Sequence, residues 1–133
     1  MDIFEEYALH DTRLNGITIC DDGIELLFCE GVYKTDEKGK ELFLTPECTI
    51  KFSICDFDQK NYYRHITVSK IKKNKIFETD LLKLICLLKE APLDIDMQYY
   101  SVFSNAVLIR GTIGKCKFDF EITEISEVAF LFK

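Results

Sequence analysis

A chain of 133 residues, 47% hydrophobic, 13% aromatic and 30% charged, has the make-up of one globular domain spanning 1–133, large enough to bury a core without metal or disulfide staples. Its 23 acidic against 17 basic side chains leave a formal charge of −6, which disfavours a nucleic-acid or phosphate-binding role and favours a basic partner. The start, Met1-Asp2-Ile3-Phe4-Glu5-Glu6-Tyr7, is acidic where an export signal is basic, and the most apolar stretch, Leu81 to Leu88, is broken by Lys83 and too short to span a bilayer; a cytoplasmic protein with no membrane span is expected.

Met1 to Leu9 can form a short amphipathic helix, which would add a second helix in an α+β arrangement. Strands are expected at Leu14 to Cys20 and Ile24 to Cys29, joined by a turn at Asp21-Asp22-Gly23 whose glycine supplies a positive φ. In that hairpin Cys20 would face Ile24 and Cys29 would face Asn15, so the two thiols would not meet. Asp36 to Lys40, polar and holding Gly39, reads as an exposed loop. Ile50, Phe52 and Ile54 alternate with polar neighbours and predict a strand with one wet face. Tyr62 to Ile71 predicts another, with His65 on the side opposite Ile66 and Val68, towards solvent. The lysines at 70, 72, 73 and 75 mark a turn leading from strand to helix.

Leu81, Leu82, Leu84, Ile85 and Leu88 recur at helical spacing, with Glu78-Thr79-Asp80 to cap the start and Pro92 to stop the helix after Glu90. Alternation returns in Leu93, Ile95, Met97 and Tyr99, then in Cys116, Phe118, Phe120 and Ile122. A further strand is expected over Asn105 to Thr112, and the glycines of Gly111-Thr112-Ile113-Gly114 turn the chain towards Cys116. Val128 to Phe132 is apolar on both faces, so it belongs at a sheet centre, under a cover, or in the contacts of a homodimer. The fold expected is mainly β: an antiparallel sandwich or strongly curled sheet of about eight strands with one helix packed on a face. An α+β layer arrangement is the neighbouring reading.

Chemical signatures are sparse. The six cysteines are scattered without a CxxC pair, which predicts reduced, mostly buried thiols and no zinc site. Leu9-His10-Asp11 lacks the further histidines and helices of a metal phosphohydrolase, and no GxSxG, Gly-rich phosphate loop or HExxH is present. No catalytic residue, metal or cofactor is therefore assigned. The lysine run holds no interleaved aromatics, which argues against nucleic-acid binding. More distinctive is the acidic last third, where Asp94, Asp96, Asp119, Glu121, Glu124 and Glu127 accompany Tyr99 and Tyr100. Carboxylates that speed encounter with a basic protein, beside aromatics that anchor it, make these eight the candidate partner-binding residues.

The succession His10-Asp11-x-Arg13 entering a strand, Ile24 to Phe28 after an Asp-Gly turn, a mid-chain helix, Asp94-Ile95-Asp96-Met97-Gln98-Tyr99-Tyr100 and Leu108-Ile109-Arg110-Gly111 resembles small bacterial immunity proteins of polymorphic or contact-dependent toxin systems. The resemblance implies a cytoplasmic antitoxin that binds a cognate toxin domain, a basic nuclease for example, and neutralises it by occlusion, with no shared catalytic residues. Two other readings stay open: a β-rich module whose eleven phenylalanines enclose a small apolar ligand, and a subunit of an assembly.

Overall fold

Apolar and polar residues alternate along most of the chain, and almost every such run is a strand in the computed structural model, which describes residues 4–133. The elements are β1 (Tyr7–Ala8), β2 (Arg13–Leu14), β3 (Gly16–Ile19), β4 (Gly23–Phe28), β5 (Tyr33–Thr35), β6 (Glu41–Leu44), β7 (Cys48–Ile54), a short 3-10 helix (Gln59–Arg64), β8 (Ile66–Lys72), β9 (Lys75–Thr79), α1 (Leu81–Leu88), β10 (Leu93–Ser101), β11 (Ala106–Ile113), β12 (Cys116–Ile122) and β13 (Ile125–Phe132). They form three antiparallel sheets: β13-β7-β4-β3, β2-β10-β11-β12-β8-β9, and the small β1-β5-β6. The fold is mainly β, with thirteen strands among the described residues and no closed barrel. The excess over the expected eight comes from two- to five-residue strands such as β1, β2, β5 and β9, too short to show a period.

One continuous core joins the two larger sheets. From the four-stranded sheet, Ile24, Leu26, Phe28, Cys48, Ile50 and Phe52 are fully buried; from the six-stranded sheet, Val107, Ile109, Phe120 and Ile122 meet them in the same cluster. The buried residues of the described chain form one contiguous cluster. α1 buries Leu81, Leu84 and Leu88 and packs on β3 and β8, so it bridges one strand of each larger sheet at the flank instead of lying across one face. Asp80 holds the N-cap position in extended conformation, but its carboxylate makes no capping bond. It accepts the Tyr62 hydroxyl instead.

The segment expected as one strand from Leu14 to Cys20 is two. β2 pairs with β10 and β3 with β4, so the chain passes from one sheet to the other at Asn15, whose side chain accepts the Cys29 N–H at 2.8 Å. The hairpin register differs by one residue from expectation: Ile19, not Cys20, faces Ile24. Gly23 has no positive φ. Its role is close approach, because a Cβ there would lie 1.8 Å from the Phe52 carbonyl oxygen and block the β4–β7 pairing. The glycine turn before Cys116 is as expected only at Gly114, with φ +61; Gly111 is buried in β11 where a Cβ would meet Leu93 Cγ at 2.5 Å.

Other expectations are corrected. The lead-in does not form a helix where it is described: Tyr7–Ala8 is β1, paired with β5, and residues 1–3 lie outside the described residues. Tyr62 to Arg64 belong to the 3-10 helix, so strand parity does not apply to His65, which is buried at 7% exposure. The lysine run makes a strand-to-strand turn, since Lys73 and Asn74 both take positive φ, 51° and 64°, and β9 pairs back on β8; two successive left-handed residues suit the twist of a tight hairpin. Asp36 to Lys40 is the expected exposed loop, its Asp36 carboxylate accepting the Lys38 and Lys40 N–H groups. β13 is an edge strand. Its Phe130 is half-buried against Tyr7, with ring centroids 4.6 Å apart, and Phe132 lies 5.3 Å from the same ring, but Phe132 and Leu131 both stay exposed.

Of the six thiols only Cys48 is buried; Cys29, Cys55 and Cys86 are exposed, against the expectation of mostly buried cysteines. Burial pushes the Cys48 thiol from 9.0 up to about 11, and the hydrogen bond to Asp80 raises Tyr62 from 10.0 to about 12. Both folded-state values lie above the ordinary ones, so the stability linked to the protonated forms is complete below pH 9 and is lost as pH rises through 11 and 12. The thermal midpoint is therefore expected to fall steadily from pH 9 upward, and Cys48→Ala to flatten the first part of that fall; a midpoint equally flat in both proteins would contradict this linkage.

Candidate functional site

The six-stranded sheet turns one face inward and leaves the other without a covering element among the described residues. Cross-strand pairing sets what that outer face presents. One row runs Tyr99, Leu108, Glu121, Thr67; the next runs Met97, Arg110, Asp119, Ser69; a third holds Asp94, Thr112 and Lys117. Arg110 clamps Asp119 with two hydrogen bonds of 2.6 and 3.0 Å, and those bonds hold the guanidinium charge, raising Arg110 above its ordinary value. Asp96 accepts the Thr112 hydroxyl at 2.7 Å, and Asp94 lies 3.3 Å from Arg13 Nε. Neither Glu121 nor Asp96 makes an ion pair among the described residues, which leaves both as unpaired negative charges of the face.

A bulge between Ile95 and Met97 shifts the register of β10. Leu93 and Ile95 point inward as the alternation predicts, but beyond the bulge the parity inverts. Met97 and Tyr99 emerge on the outer face at 38% and 61% exposure. The β10–β11 hairpin then ends in Val102 and Phe103, the latter 103% exposed. Sequence reasoning passed over both. The signal was there: Val102-Phe103 sits between two strands at a turn, where large apolar residues have nothing to pack on.

The inverted parity separates the adjacent tyrosines. Tyr100 leaves the face of Tyr99 and donates its hydroxyl to Asn105 Oδ1 at 2.9 Å, on the wall of a groove of about 760 Å³ that also holds Tyr7, Phe130 and the carboxylates of Glu5, Glu6 and Glu127. Of the predicted contact residues, then, Asp94, Asp96, Tyr99, Asp119 and Glu121 share the outer face, while Tyr100 and Glu127 belong to the groove. Glu124 joins neither. It takes a positive φ of 55° in the β12–β13 turn and places Oε1 3.5 Å from His65 Nδ1, a buried nitrogen with no hydrogen-bond partner. Glu5 and Glu6 escaped the sequence reading because only the fold brings the N-terminal segment to β13.

Two further features lie elsewhere. Leu82, Leu87 and Phe118 floor an open cleft of about 500 Å³ between α1 and the six-stranded sheet, with Lys70 and Lys83 at its margin. His10, Asp11 and Glu41 bring ligand atoms within 4.8 Å of one another, but all three are exposed and His10 Nδ1 already pairs with Asp11 at 3.0 Å. Among the described residues no helix is long and apolar enough to cross a membrane. No family model, curated protein or solved structure matches the chain.

Proposed function

We propose that the protein is an immunity-type inhibitor, a cytoplasmic antitoxin that binds a cognate toxin domain of basic character, such as a nuclease, and neutralises it by occlusion. The observation that carries this reading is the fully solvent-exposed Phe103 at the tip of a hairpin whose outer face adds Tyr99, Met97 and the unpaired Glu121. An aromatic held in water by two paired strands is an anchor waiting for a pocket. The net charge of −6 supplies long-range attraction to a basic partner. We read the two larger sheets as a β-sandwich, a rigid support that presents this tip with little ordering cost on binding.

The test is binding between the purified protein and the C-terminal domain encoded by the adjacent upstream gene. Tight association whose on-rate falls as salt is raised is expected; absence of binding at low salt would sink the proposal. The cleft beside α1 favours a second reading, a carrier of a small apolar ligand, which native mass spectrometry of the purified protein would reveal as a bound mass. Such a ligand held in that cleft would transfer the function to it.

A further inference from the structure

We infer that the free edge of β13 is a docking site for an extended, basic segment of the partner protein, which adds as a strand to the four-stranded sheet. This rests on the inhibitor reading above and specifies a second part of its contact surface. The register supplies the first argument. Lys133 N–H bonds the Glu47 carbonyl at 3.0 Å, and with Phe132 facing Cys48 and Phe130 facing Ile50 the odd-numbered residues from Glu127 onward spend their backbone groups on β7. Those of Val128 and Phe130 point the other way. No strand lies beyond them, and no other hydrogen bond reaches them among the described residues.

Edge strands of this kind are usually blunted by lysine, proline or a covering element. Between Glu127 and Phe132 there is no lysine and no proline, and the edge opens into the 760 Å³ groove. The groove decides the chemistry of the guest. Glu5 and Glu6 stand on one wall and Glu127 on the other, no Lys or Arg lines it, and none of the three carboxylates makes an ion pair among the described residues. Lys34 is held over the ring of Tyr7, one of the groove's lining residues, at 4.8 Å. Main-chain bonds to Val128 and Phe130 would give the guest affinity, and alternate Lys or Arg side chains reaching these carboxylates would give it specificity. Tyr100, which also lines the groove, adds an aromatic ring beside the path of those cations.

The probe is a short capped peptide alternating Lys and Val, titrated into the isotope-labelled protein, with its Glu-Val counterpart as control. Expected are shifts confined to the groove, slower hydrogen exchange at the Val128 and Phe130 amides, and no response to the acidic peptide. The triple charge reversal E5K/E6K/E127K, all at exposed positions, should weaken the basic peptide by about tenfold or more, while E121K on the outer face should leave it unchanged. Val128→Pro removes a donor that β7 does not use and should abolish the protection. Shifts at Tyr99 and Glu121 without protection of Val128 and Phe130, or equal binding to the triple variant, would overturn the assignment. Peptide docking without capture of the toxin domain would overturn the inhibitor reading alone; capture insensitive to both E5K/E6K/E127K and Val128→Pro would overturn the docking site alone.

Discussion

Phe52→Ala is expected to destabilise the protein by about 3–5 kcal/mol, enough to remove a large share of the roughly 5–15 kcal/mol that a domain of this size has. Phe52 is fully buried on β7, facing Ile24 of β4 on one side and Val128 of β13 on the other. Its ring therefore meets the core between two paired neighbours whose backbones are fixed by hydrogen bonding. The hole left by truncation has little freedom to collapse, and the cost includes lost contacts as well as lost transfer energy. Urea unfolding of the variant should show a much lower midpoint with an unchanged slope. A loss below about 1 kcal/mol would mean that the two sheets do not close on Phe52 as described.

Phe103→Ala should do the reverse, leaving stability within about 0.5 kcal/mol and damaging binding. The side chain is wholly in water, so the free protein loses no packing when it is cut. An aromatic anchor at the centre of a protein interface is worth about 2 kcal/mol or more, a loss of about thirtyfold in affinity. Tyr99→Ala, one row away on the outer face, should weaken binding in the same direction. In the proposed interface Glu121 contributes through charge at the rim, so E121K should slow association with little effect on dissociation. Measured by surface plasmon resonance against the proposed partner domain, unchanged affinity in both aromatic variants would move the interface away from this face.

The contrast between these two phenylalanines shows where the sequence was informative. Ile50, Phe52 and Ile54 alternate without interruption, and that period alone identifies both the strand and the buried side. The same holds for Phe118, Phe120 and Ile122, and the spacing of Leu81, Leu84 and Leu88 marks α1 and its buried stripe. Alternation fails as a guide where a single residue is inserted. The bulge in β10 sends Tyr99 outward and Tyr100 inward, opposite to the parity counted from Leu93, and so divides the candidate site between two surfaces. His65 was misread for a related reason, because its strand begins one residue after it. The groove was illegible for a different cause: Glu5 and Glu127 lie at opposite ends of the chain, and only the placing of β1 beside β13 brings them together.

The most direct test of the inhibitor reading is growth of cells that express the C-terminal domain encoded by the adjacent upstream gene, the proposed toxin, together with this protein. The account predicts rescue by the wild-type chain and loss of rescue by a variant carrying both F103A and Y99A, at equal abundance and unchanged thermal midpoint. Arrest with the wild-type chain present, or rescue by the double variant as complete as by wild type, would contradict it.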